Sequence, residues 1–106
     1  MKPEVGQYIE VDLGCIRSSD ADRIVAGHST LVGMEHQKFC DSRVVVKVTE
    51  VISINERVAS RFSVLAKCVK SDYPSLIGET AHYSIWYSDN PMLVSELEAL
   101  VFECDA

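Results

Sequence analysis

The chain has 106 residues, 47% of them hydrophobic, with only 5 Gly and 3 Pro. This supports one globular domain over residues 1–106 and excludes collagen-like, linker-rich or low-complexity organisation. No apolar run approaches the roughly 20 residues that cross a bilayer, and a formal charge of −6 opposes simple attraction to nucleic acid.

The opening stretch "MKPEVGQYIEVDLG" lacks the apolar segment of a signal peptide, so a cytoplasmic location without membrane association is expected. In that compartment Cys15, Cys40, Cys68 and Cys104 are expected as reduced thiols, with Cys40 and Cys68 serving as packing residues. Within the opening stretch, "QYIEVDL" sets Ile9, Val11 and Leu13 against Glu10 and Asp12, the alternation of a half-buried strand. "GCIRSSDADR" reads as a loop, because Ser18, Ser19 and Asp20 favour turns. "RIVAGHSTLVGMEHQKF" carries Gly27 and Gly33, which weaken a helix, and its Thr30 and Val32 suit a bent or bulged strand.

"RVVVKVTEVISI" is dense in β-branched residues and is the clearest strand. With Asn55-Glu56 as a short turn, "RVASRFSVLAKCVKS" completes an antiparallel hairpin. "SDYPSLIGE" is rich in turn formers, and "TAHYSIWYS" has the β-branched and aromatic content of another strand. In "DNPMLVSELEALVF", Asp89 or Asn90 can cap a helix and Pro91 fits its first position. Leu93, Leu97, Leu100 and Val101 then recur at helical spacing.

The net charge conceals an asymmetry. Residues 38–70 hold seven basic and three acidic side chains, whereas residues 71–106 hold seven acidic side chains and no basic one. Alternation assigns these charges to faces, because successive strand side chains point to opposite sides. Val44, Val46 and Val48, then Phe62, Val64, Ala66 and Cys68, then Ala81, Tyr83, Ile85 and Tyr87 form apolar half-faces. If these share the core, the outward face collects Arg43, Lys47, Arg61, Lys67, His82, Ser84 and Trp86. Cations that follow phosphates and an aromatic that stacks on a base are what single-stranded nucleic acid favours. The same residues also suit an ordinary solvated sheet face.

The element order predicts a mainly β fold with one C-terminal helix, either a small five-stranded antiparallel sheet or an oligonucleotide-binding (OB)-like barrel. Residues 43–102 contain "VKSDYPSLIGETAHYSIWY", a polar turn and Gly78 before an aromatic strand, and then the expected helix. This layout resembles small phage-encoded single-strand-binding and replication or recombination accessory proteins of the OB fold. The resemblance implies binding of single-stranded nucleic acid, and an acidic end such as "ELEALVFECDA" that recruits partners.

Other chemistry finds little support. His28, His36 and Cys40 are spaced H-x7-H-x3-C, with no close ligand pair of the kind structural zinc sites use. No phosphate-cradling glycine motif is present, and the paired carboxylates Glu10/Asp12 and Asp20/Asp22 read as solvated charge. No catalytic residue, cofactor or metal site is therefore expected, and the chain reads as a non-enzymatic binding module.

Three functions remain open. One is a nucleic-acid-binding module using Arg43, Lys47, Arg61, Lys67, His82 and Trp86. Another is an acidic protein-interaction module, in which Glu96, Glu98, Glu103 and Asp105 act as a phosphate mimic. Such a module would inhibit or recruit a host nucleic-acid enzyme, as anti-defence proteins of phages and mobile elements do. The last is a homo-oligomer formed through edge strands or the aromatic face.

Overall fold

The computed structural model of the chain describes residues 3–27, 36–55, 61–86 and 91–94. Its five strands are β1 (Tyr8–Asp12), β2 (Arg43–Asn55), β3 (Arg61–Ser71), β4 (Thr80–Trp86) and β5 (Met92–Val94). They form one antiparallel sheet in the order β4-β3-β2-β1-β5. The expected antiparallel sheet is thus present, and it is open. β4 and β5 stand at opposite edges, so an OB-like barrel is not closed among the described residues.

The hydrophobic core covers one face, where strand alternation puts Val44, Val46 and Val48 beside Phe62, Val64, Ala66 and Cys68. Cross-strand pairing extends the layer to β4, with Val64 opposite Tyr83, Phe62 opposite Ile85 and Ala66 opposite Ala81. Ile9 and Val11 of β1 complete it. Tyr87, expected in the same layer, lies outside the described residues.

The long hairpin is not uniform. Register shifts between Val48 and Glu50 and between Val51 and Ser53 insert Thr49 and Ile52 as extra residues on β2. Each bulge advances the inward phase by one residue, so the core-facing series runs Val48, Val51, Ile54. The Thr49 hydroxyl donates to the Leu65 carbonyl at 3.0 Å and ties the first bulge to β3.

Between β3 and β4 the chain makes the predicted turn. Pro74 opens a 3-10 turn, Leu76 plugs into the core, and Gly78 takes a φ of +92° that side-chain-bearing residues rarely adopt. The Gly78 N–H donates to the Cys68 carbonyl at 2.8 Å, which closes the turn onto β3.

Three expected elements differ. The stretch read as a loop and then a bent strand instead contains helix α1 (Ser18–Gly27) and helix α2 (His36–Asp41). Ala21, Ile24 and Val25 fall at helical spacing and pack on the core, which outweighs the cost of Gly27 at the helix's last position. Residues 28–35, including Gly33, Thr30 and Val32, lie outside the described set. In α2, Cys40 packs on the core so close to Gly14 that a Cβ there would sit 3.2 Å from the Cys40 Cβ.

The third difference is at the C-terminal end. Met92–Val94, expected as the first turn of a helix, is strand β5, with Tyr8 opposite Val94 and Ile9 opposite Leu93. The unpaired edge of β1 offers backbone hydrogen bonds that override local helix propensity there. Residues 95–106, which hold the remainder of the expected helix, lie outside the described residues.

Three titratable groups, Cys15, Cys68 and Tyr83, sit in the core. Burial raises the Cys68 thiol from 9.0 to about 11 and pushes the Tyr83 hydroxyl well above its ordinary range. Cys15 is buried like Cys68, and Cys40 is half-buried. Among the described residues no helix is long and apolar enough to cross a membrane.

Candidate nucleic-acid interface

The face opposite the core is built by strand register. Row by row it sets Tyr8, Lys47, Lys67 and Thr80 side by side on β1 to β4. Further along come Glu50, Leu65 and His82, then Ser53, Ser63 and Ser84, and finally Arg61 beside Trp86. All seven residues expected on the outward face therefore lie on it, but in different surroundings.

Arg43 stands at the β1 end with its charge already engaged. Its Nε lies 3.3 Å from Glu10 Oε1 and its Nη1 lies 3.3 Å from Asp12 Oδ1. Both carboxylates come from the outward phase of β1, and Arg43 is paired directly with Asp12 in register. This arrangement leaves Arg43 poorly placed to meet a phosphate.

Lys47 and Lys67 are direct cross-strand partners. Like charges so placed repel, and the Lys47 ammonium turns toward β1, lying 5.4 Å from the centre of the Tyr8 ring. That contact is a cation–π interaction of the type that pairs Lys with an aromatic face. Tyr8 belongs to a second apolar cluster with Val45 and Val69 that lies on this same side. The outward face near β1 thus contains a buried apolar patch, in which Val45 is only 4% exposed.

The more open half lies over β3 and β4. Trp86 is 40% exposed, and the Arg61 guanidinium sits over its ring at 5.2 Å. From Lys67 to Arg61 is six residues along β3, about 20 Å at the rise of an antiparallel strand. Lys67, His82, Ser84 and the Arg61–Trp86 stack accordingly form a line down the sheet.

β4 is an edge strand, and its outer backbone groups are occupied. Ile16 bridges Tyr83, the Arg17 N–H donates to the His82 carbonyl at 2.8 Å, and the His82 N–H donates to Asp20 Oδ2 at 2.8 Å. Arg23 adds a bond from Nη2 to the Thr80 carbonyl at 3.0 Å and an ion pair with Glu79 at 3.5 Å. Such covering removes the free edge along residues 80–83 that would otherwise template pairing with another chain, and it holds the His82 backbone in place.

Where this covering segment meets the end of β4, an open cleft of ≈ 560 Å³ is lined by Asp12, Gly14, Arg17, Cys40, Ser84 and Trp86 among others. Arg17 and the cleft carried no signal in the strand alternation, because they arise only when the segment after β1 crosses to β4. Among the described residues no three His, Cys, Asp or Glu side chains converge as a metal site would require, and His28 lies outside them. Glu96, Glu98, Glu103 and Asp105, the acidic residues of the protein-interaction reading, also lie outside the described residues.

Compared with known proteins, the chain matches no family model, no curated protein sequence and no solved structure.

Proposed function

We propose that the protein is a non-enzymatic module that binds single-stranded nucleic acid along the outward face of β3 and β4. The observation that carries the reading is the line of Lys67, His82, Ser84 and Trp86 on one face, ending where Arg61 stacks on the exposed indole. Cations at intervals can follow a phosphate backbone, and an aromatic at the end offers a base a π-face that tolerates any sequence. Arg43 takes no part in it, because Glu10 and Asp12 hold its guanidinium.

Local charge supports this reading despite the overall −6, since β2 and β3 fall within the basic middle of the chain. The decisive experiment is fluorescence anisotropy of a labelled oligonucleotide over a salt series. Affinity is expected to fall with salt, and Lys67→Gln to reduce the logarithmic salt slope by about one, the loss of one phosphate contact. Binding indifferent to salt, or a slope unchanged by Lys67→Gln, would contradict the proposal.

A further inference from the structure

We infer that the cleft at the end of β4 is a pocket for one unstacked nucleotide, its base against Trp86 and its phosphate at Arg17. The inference rests on the nucleic-acid reading and adds to it a site for a single unit. At ≈ 560 Å³ the cleft matches the roughly 300–1,000 Å³ of small-molecule pockets and has room for a mononucleotide.

Its walls supply complementary chemistry. Trp86 is a wall of the cleft, whereas Arg61, which lies over its ring at 5.2 Å, is not. Arg17 is exposed and lines the same cleft, and its main-chain N–H is anchored to the His82 carbonyl. The Ser84 hydroxyl can donate or accept at a sugar or base edge. Asp12 also lines the cleft, but its carboxylate is compensated by Arg43 at 3.3 Å, which lessens its repulsion of a phosphate.

Position strengthens the assignment. The cleft lies at the Trp86 end of the line from Lys67, so a strand laid on the face reaches it with a terminal or splayed nucleotide. A base there leaves its neighbours' stack and regains a π-face on the indole.

The test is titration of the full chain with adenosine and cytidine 5′-monophosphates, the parent nucleosides and inorganic phosphate, read by Trp86 fluorescence and calorimetry. Both mononucleotides are expected to quench Trp86 saturably, and the nucleosides to bind at least about tenfold more weakly for want of a charge-assisted contact. Arg17→Ala should lower mononucleotide affinity to the nucleoside level while leaving most of the affinity for a short oligothymidylate. Arg17 engages β4 through its main-chain N–H, so this variant keeps that bond. Equal binding of nucleotide and nucleoside, binding of inorganic phosphate as tight as that of the mononucleotides, or an unaltered Arg17→Ala would overturn the pocket. Oligonucleotide binding with no mononucleotide response would also overturn it while sparing the sheet face; no response to either ligand would sink both readings.

Discussion

On one side of β2, β3 and β4, Val46, Val48, Val64, Ala66, Tyr83 and Ile85 are at most 2% exposed. On the other, their chain neighbours Lys47, Lys67, His82 and Trp86 keep contact with solvent. The two faces share one backbone and one alternation, and they answer to different demands. Every inward position must be apolar and fit its neighbours, because a void or an unsatisfied polar group there is costly. The outward positions are bound by no such rule. There Arg43 is spent on Glu10 and Asp12, whereas Arg61 lies against an indole that solvent also reaches.

The largest effect should come from the inner face. Phe62, 1% exposed and packed in the core, is expected to cost about 3–5 kcal/mol of stability when changed to Ala, measured as a shift in urea midpoint. A change as small as that of a surface substitution would break the comparison at its root.

High pH probes the same face without mutation. Cys68 and Tyr83 keep their protons in the folded chain at pH values where the unfolded chain has lost them. The contribution of Cys68 is therefore whole below pH 9.0 and lost as pH rises toward about 11, whereas that of Tyr83 begins to fall only above pH 10.0. Melting temperature should be level just below this window and decline through it, and a melting temperature that rose there would contradict the assigned burial.

The smallest effect compares two outward arginines. Arg61→Gln is expected to weaken oligonucleotide binding severalfold, since it removes both a cation and the partner of Trp86. Arg43→Gln should leave affinity nearly unchanged and cost under about 1 kcal/mol of stability, as half-exposed ion pairs do. Equal losses from the two variants would mean that the charges of Glu10 and Asp12 do not engage Arg43 in solution.

Much of this contrast was legible in the sequence. The runs from Arg43, Arg61 and Thr80 each carry a period of two, so the inner and outer half-faces could be written down before any register was known. What alternation could not supply was adjacency. That Glu10 and Asp12 reach Arg43, and that Tyr8, Val45 and Val69 make a second apolar patch, depends on β1 pairing with β2. The bulges at Thr49 and Ile52 likewise shift phase without a proline or glycine to announce them.

The helical misreadings have different causes. For α1, Ser18, Ser19 and Asp20 read as turn formers and Gly27 as unfavourable to a helix, whereas Ala21, Ile24 and Val25 carry helical spacing and a glycine at a helix end is ordinary. For β5, Pro91 and the leucine spacing carried a true local preference, and the free edge of β1 prevailed over it at Met92–Val94. Local propensity is a weak prior where a neighbouring strand has hydrogen bonds to offer. The cleft beside Trp86 was out of reach for a related reason, because residues 12–18 come beside Ser84 and Trp86 through the Ile16–Tyr83 bridge and the Arg17–His82 bond.

The outward face as a nucleic-acid surface is tested most directly by Trp86, the only Trp in the chain. Its fluorescence can be followed while a short single-stranded oligonucleotide is added at low and at physiological salt. Stacking on the indole predicts saturable quenching at low salt that weakens as salt rises. An unchanged signal at low salt, with no binding by anisotropy under the same conditions, would contradict it.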